Sequence, residues 1–210
     1  YRVIYQNGYS VVSPEDAHNP ERDNVRPEDI EYYERVLIPK YGFPPLGSLK
    51  NASYDDVRTF FAQQFRRHDL SYDTEVDEDY WNRNDLSPLQ LAFPEDPSQK
   101  SPACNCGYII EVGATLAGVH GIANRMATGL ADFNRDKRLT AAEKHGWLEI
   151  YDQEKGYFRP IELTNFLNRG EEYFRSRQEA NPIGADKKGK KIWTDFDLKH
   201  EAPNWRGVLE

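Results

Sequence analysis

Between residues 27 and 41, Ile30, Tyr33 and Leu37 recur at helical spacing. Pro27 suits the first helical position, and Glu28 and Asp29 are favourable in the first turn. Gly42, followed by Pro44 and Pro45, is a stop signal. A second helix is predicted from Ser53, with Asp56 as a weak capping partner. Tyr54, Val57, Phe61 and Phe65 form its apolar face, and Phe60 widens it. The longest periodic stretch is 108–131. There Val112, Leu116, Val119, Ala123, Met126 and Leu130 are offset by 4, 3, 4, 3 and 4, which predicts one helix of more than five turns. Gly113, Ala117 and Gly121 lie four apart beside that stripe. Each glycine inside a helix costs about 1 kcal/mol relative to Ala, so a close-packed neighbour is expected. A short helix is predicted over about 141–151. Another opens at Pro160, with Ile161, Phe166, Leu167, Tyr173 and Phe174 on its buried side.

Little else in the pattern reads as regular structure. Tyr1–Tyr5 is strand-like and ends at a turn signal, Asn7-Gly8. Residues 69–105 form a long connection carrying Asp73, Glu75, Asp77, Glu78, Asp79 and Asp85 against Arg83. It is read as a solvated acidic loop, with a second cation site as the sharper alternative. After Asn181-Pro182 come a basic cluster, Lys187, Lys188, Lys190 and Lys191, and then Trp193, Phe196 and Trp205. These features predict a mainly α protein with little β: an irregular arm over 1–26, a helical domain over 27–183, and a tail over 184–210 docked on that domain.

Composition narrows the partners. The 210 residues carry 27 basic and 35 acidic side chains, a formal charge of -8. That balance argues against binding a phosphate backbone and in favour of cations. Apolar residues are only 38%, but aromatics reach 13%, so the core is expected to be built on rings. No run approaches the ~18 apolar residues of a membrane span. Cys104 and Cys106 are so close in sequence that a disulfide between them would be a strained ring. Free thiols or links to another chain are the alternatives, and no zinc set accompanies them. Asn51-Ala52-Ser53 is a glycosylation sequon, which tilts the expected setting slightly towards the secretory pathway over a soluble intracellular one.

One segment carries chemistry: Asp132-Phe-Asn134-Arg-Asp136-Lys-Arg138-Leu-Thr140-Ala-Ala-Glu143. Calcium takes six to eight oxygen ligands, and a twelve-residue loop supplies them from positions 1, 3, 5, 7, 9 and 12. Those positions are Asp132, Asn134, Asp136, the Arg138 carbonyl, Thr140 and Glu143, with Leu139 as the apolar residue at position 8. The segment resembles the EF-hand family, and the resemblance implies flanking helices and a bound Ca2+. Position 6, normally Gly, is Lys137, a departure costing on the order of 1 kcal/mol in a left-handed turn. Asp152–Glu162 keeps part of the same spacing and reads as a degenerate partner or a plain turn.

Glu111 lies inside an apolar stretch, where burial would raise its pKa and fit it for general-acid work. The plainer reading is an acid near a helix N-terminus. His120 reads as a satisfied interhelical histidine. No nucleophile elbow, phosphate loop or dinucleotide fingerprint is present. The sequence therefore predicts a calcium-binding protein in which the ion is mainly structural, acting through a protein or carbohydrate ligand. A calcium-stabilised, lysozyme-like hydrolase using Glu111, with a partner such as Asp77 or Asp79, is the alternative.

Overall fold

The computed structural model describes residues 4–6, 9–11, 25–73, 86–131, 144–168 and 205–207. Its first helix, α1, spans Pro27–Tyr32, widens into a π-helical segment at Tyr33–Leu37 and continues as α2, Ile38–Tyr41. Gly42 ends it at φ 68°, a left-handed cap that glycine adopts without penalty. The third helix, α3, spans Tyr54–Arg67. Its N-cap is Ser53, whose Oγ accepts from the Asp56 N–H at 3.1 Å. Val57, Phe60, Phe61 and Phe65 are all buried, as the periodicity predicts. A short α4, Pro88–Ala92, interrupts the long connection.

The mainly α expectation fails from residue 120 onward. The fifth helix, α5, spans Cys106–Val119 only. Asn105 caps it by accepting from the N–H groups of Gly107 at 2.9 Å and Tyr108 at 3.1 Å. Gly121, at φ 69°, turns the chain out of the helix. The second half of the supposed long helix is strand β3, Asn124–Ala131. Met126 and Leu130 deceive because a spacing of four keeps side chains on one face of a strand as well as of a helix. Where the sequence predicts a helix over about 141–151, the described part belongs to β4, Lys144–Asp152. Pro160 opens no helix; it sits inside β5, Tyr157–Ile161, and only a single 3-10 turn, Leu163–Phe166, follows. Ser10↔Phe158 is the sole described pairing of β5 on its outer side, and proline is tolerated on such an edge.

At the N-terminus, β1 (Ile4–Gln6) and β2 (Tyr9–Val11) form a hairpin. With β6, Trp205–Gly207, they complete a six-stranded antiparallel sheet in the order β1-β2-β5-β4-β3-β6. The protein is thus an α+β fold in which helices cover one face of an antiparallel sheet. Across that interface α5 lies on β4 and β3. Gly113 lies at a close approach: a Cβ there would fall 2.3 Å from Leu163 Cδ1 and 3.2 Å from Leu148 Cδ2. The close neighbour expected beside the glycines is found at Gly113, in β4 and the turn after β5, whereas Gly121 lies beyond the helix end.

The core is rich in rings. Tyr33, Phe43, Phe60 and Phe93 meet edge to face around it. The outward face of the sheet is also buried in part. Arg125 of β3 lies opposite Glu149 of β4, at 2.6 Å, and its guanidinium stacks 4.3 Å from the Phe158 ring centre. Trp147 Nε1 donates to the same glutamate at 3.1 Å. Among the described residues no helix is long and apolar enough to cross a membrane.

Candidate functional site

Two places carry chemistry: the connection between β3 and β4, and a cavity beside α5.

The proposed calcium ligands Asp132, Asn134, Asp136, Arg138, Thr140 and Glu143 all lie outside the described residues. Their flanks do not. The segment joins two strands of one antiparallel ladder, in which Leu130 pairs with Lys144 and Gly129 with His145. The helix–loop–helix frame of an EF-hand is therefore replaced by strand–loop–strand. That register sets residues that flank the segment, Leu130 and Lys144, opposite each other. The donor set fits a hard cation, since every side chain that supplies a ligand supplies oxygen. Elsewhere among the described residues no three His, Cys, Asp or Glu side chains gather in a way that could hold a metal.

The degenerate second loop is a plain turn. Asp152 Oδ1 accepts from the N–H groups of Glu154 and Lys155 at 3.0 and 3.1 Å, while its Oδ2 takes Arg159 Nη1 at 2.8 Å. Gly156 closes the turn at φ 74°. Both oxygens of the carboxylate are engaged within its own hairpin.

The cavity, about 200 Å³, opens between the start of α1, the start of α4, α5 and β3. Val25, Pro88, Ala114 and Met126 supply apolar wall, while Arg26, Asp29, Glu111 and Thr115 supply the polar groups. Glu111 stands exposed at the rim, yet the wall strips enough water from it to push its pKa above the ordinary carboxylate range. The fold sets beside it a carboxylate that the pattern did not single out. Asp29 is 1% exposed, because α1 presses its first turn against α5. Its Oδ2 accepts from the Arg26 N–H at 3.0 Å and faces Arg26 Nε at 3.6 Å. Its Oδ1 is buried and has no hydrogen-bond partner among the described residues. Such an oxygen costs about 1–3 kcal/mol until a donor reaches it. The only sequence signal was an acid at N3 of a helix, which reads first as a cap. Asp77 and Asp79, the partners expected for Glu111, lie outside the described residues.

His120 sits at the C-cap of α5 rather than inside a longer helix. Its Nε2 lies 2.8 Å from the Tyr33 hydroxyl, which also reaches the Pro44 carbonyl at 2.8 Å. With the single phenolic proton on Pro44, Nε2 carries the imidazole proton and donates to Tyr33. Nδ1 is then a buried acceptor without a donor. Burial pushes the imidazole down to about 4 and raises the Tyr33 phenol. Cys104 carries a free thiol, and burial pushes it up to about 12.

Set against known proteins, the chain matches no family model, and no curated protein or solved structure matches it significantly.

Proposed function

We propose that the β3–β4 connection binds one calcium ion, that the ion is mainly structural, and that the protein works by holding a partner or ligand. The observation that carries this is the coincidence of two independent facts. Six positions of Asp132–Glu143 follow the ligand order of a calcium loop, and the strand residues on either side of that segment, Leu130 and Lys144, are paired.

The physical role follows from the topology. A twelve-residue connection leaves a hairpin with a closure cost that grows with loop length. A cation gathering Asp132, Asp136 and Glu143 would offset that cost and relieve repulsion among the three acids. Fixing the β3–β4 register also fixes which residues face the helices, because a slip of one residue turns every side chain to the other face.

A lysozyme-like cleft is not the better reading. Small-molecule sites usually occupy about 300–1,000 Å³, and two sugar rings flanking a scissile bond need that scale. The cavity at Glu111, at about 200 Å³, admits a small group rather than a polysaccharide.

The test is calorimetric titration of chelator-treated protein with calcium, beside a Glu143→Gln variant, with thermal melts of both. One-site binding that is lost in the variant, with a melting temperature that rises with calcium by mass action, supports the reading. A folded, metal-free protein giving neither heat nor shift removes it.

A further inference from the structure

We propose that Asn51 is the attachment site of an N-linked oligosaccharide, carried on an exposed turn before α3. The site is separate from the calcium loop and stands whether or not that loop binds an ion.

Asn51-Ala52-Ser53 is the only Asn-x-Ser/Thr triplet in the 210 residues, and its middle residue is not proline. The Ala52 N–H donates to the Leu49 carbonyl at 3.0 Å, which puts Lys50 and Asn51 at the centre of a tight turn. Leu49 and Ala52 pack against the core, while Lys50 and Asn51 stay exposed. Asparagine suits turns because it tolerates a left-handed backbone and because its side chain bonds to backbone nearby. Neither reason holds here. Asp69 is the only described non-glycine residue at positive φ, and no hydrogen bond engages the Asn51 carboxamide among the described residues. The fold therefore leaves this amide in solvent, where a bulky substituent meets no wall.

Ser53 is used differently. Its Oγ accepts from the Asp56 N–H at 3.1 Å and donates to Asp56 Oδ2 at 2.7 Å. In the folded chain that hydroxyl is engaged in capping α3. An acceptor triplet is read through its hydroxyl as well as its amide, so the sugar is added before α3 forms. The finished fold has only to tolerate it.

The donor is an oligosaccharide joined through its C1 to a polyisoprenyl pyrophosphate, presented in the lumen of the secretory pathway. The bond from C1 to the pyrophosphate oxygen breaks, and a bond from C1 to Asn51 Nδ2 forms. The pyrophosphate leaves with the electron pair, and the amide gives up one proton.

The experiment expresses the full chain in eukaryotic cells behind a secretory leader, and in parallel without one. Loss of the leader shows that the chain has entered the pathway. Total chain from cells and medium is weighed by mass spectrometry before and after a peptide N-glycosidase. A single glycan-sized step is expected on the leader-bearing chain alone, and the enzyme should remove it, leaving an aspartate that peptide mapping places at position 51. Asn51→Gln and Ser53→Gly should each lose the step, and Ser53→Thr should keep it. Glycine and threonine both serve as N-caps, so that contrast separates the acceptor role of Ser53 from its cap. Melting curves with the glycan on and off should coincide. A chain that enters the pathway without gaining the step overturns the proposal, as does a step that survives Asn51→Gln. A glycan-bearing chain that melts well below its stripped form also overturns it, because the sugar would then press on the fold.

Discussion

Tyr33 and His120, 87 positions apart, are joined by a 2.8 Å contact between phenol and Nε2 that ties the first helix to the end of the fifth. The imidazole is buried and flanked by Phe60 and Tyr33 edge to face, so burial disfavours a positive charge on it.

That arrangement predicts a pH dependence. The unfolded chain protonates His120 near about 6.5, whereas the folded protein does so only near about 4. Between those values the unfolded state holds the extra proton, so stability falls as pH falls. The contribution approaches roughly 3 kcal/mol at the lower end. Urea unfolding at pH 7, 6 and 5 should show a shallower decline for His120→Gln than for the parent. Parallel curves would show that the histidine does not titrate between the two states.

The Arg125–Glu149 pair supplies a second expectation. Its groups are 13% and 1% exposed, and Glu149 also receives the Trp147 N–H. Removing one partner strands the other charge, so Glu149→Leu alone should cost about 3–5 kcal/mol. Adding Arg125→Met should recover much of that loss. A double-mutant cycle in urea measures the coupling, and additive losses would rule it out.

Gly113 should resist a change that helix propensity favours. Alanine gains about 1 kcal/mol in a helix interior, yet its Cβ would fall 2.3 Å from Cδ1 of Leu163, a fully buried side chain that would have to shift. Gly113→Ala should therefore destabilise by about 1–3 kcal/mol, and Leu163→Val in the same chain should relieve it. Thermal melts decide this; a stabilised single variant would mean that the turn after β5 yields.

Cys104 should be inert while the protein is folded. Its thiol is buried and pushed up to about 12, and the thiolate is the reactive form. Alkylation at pH 8 followed by peptide mapping should find Cys104 unmodified in the native state and fully modified in urea. Rapid native labelling would mean that the loop before α5 opens readily.

What the sequence determined by itself was local. Pro27 and Gly42 bound the first helix, and Ser53 begins α3 on the predicted face, because caps and short-range periodicity act within a few residues. The oxygen-ligand order of 132–143 is also a local property. The tertiary structure decided where helix gives way to sheet. Met126 and Leu130 satisfy either period, and the apolar run around Trp147–Ile150 reads the same in a strand buried on both faces as in a core helix. Only antiparallel pairing with neighbours distant in sequence resolves the choice. That Asp29 and Glu111 line one cavity, and that Tyr33 meets His120, depends on how the first helix packs on α5. No spacing along one chain encodes that packing, because it arises from the shapes of two helical faces and the sheet beneath them.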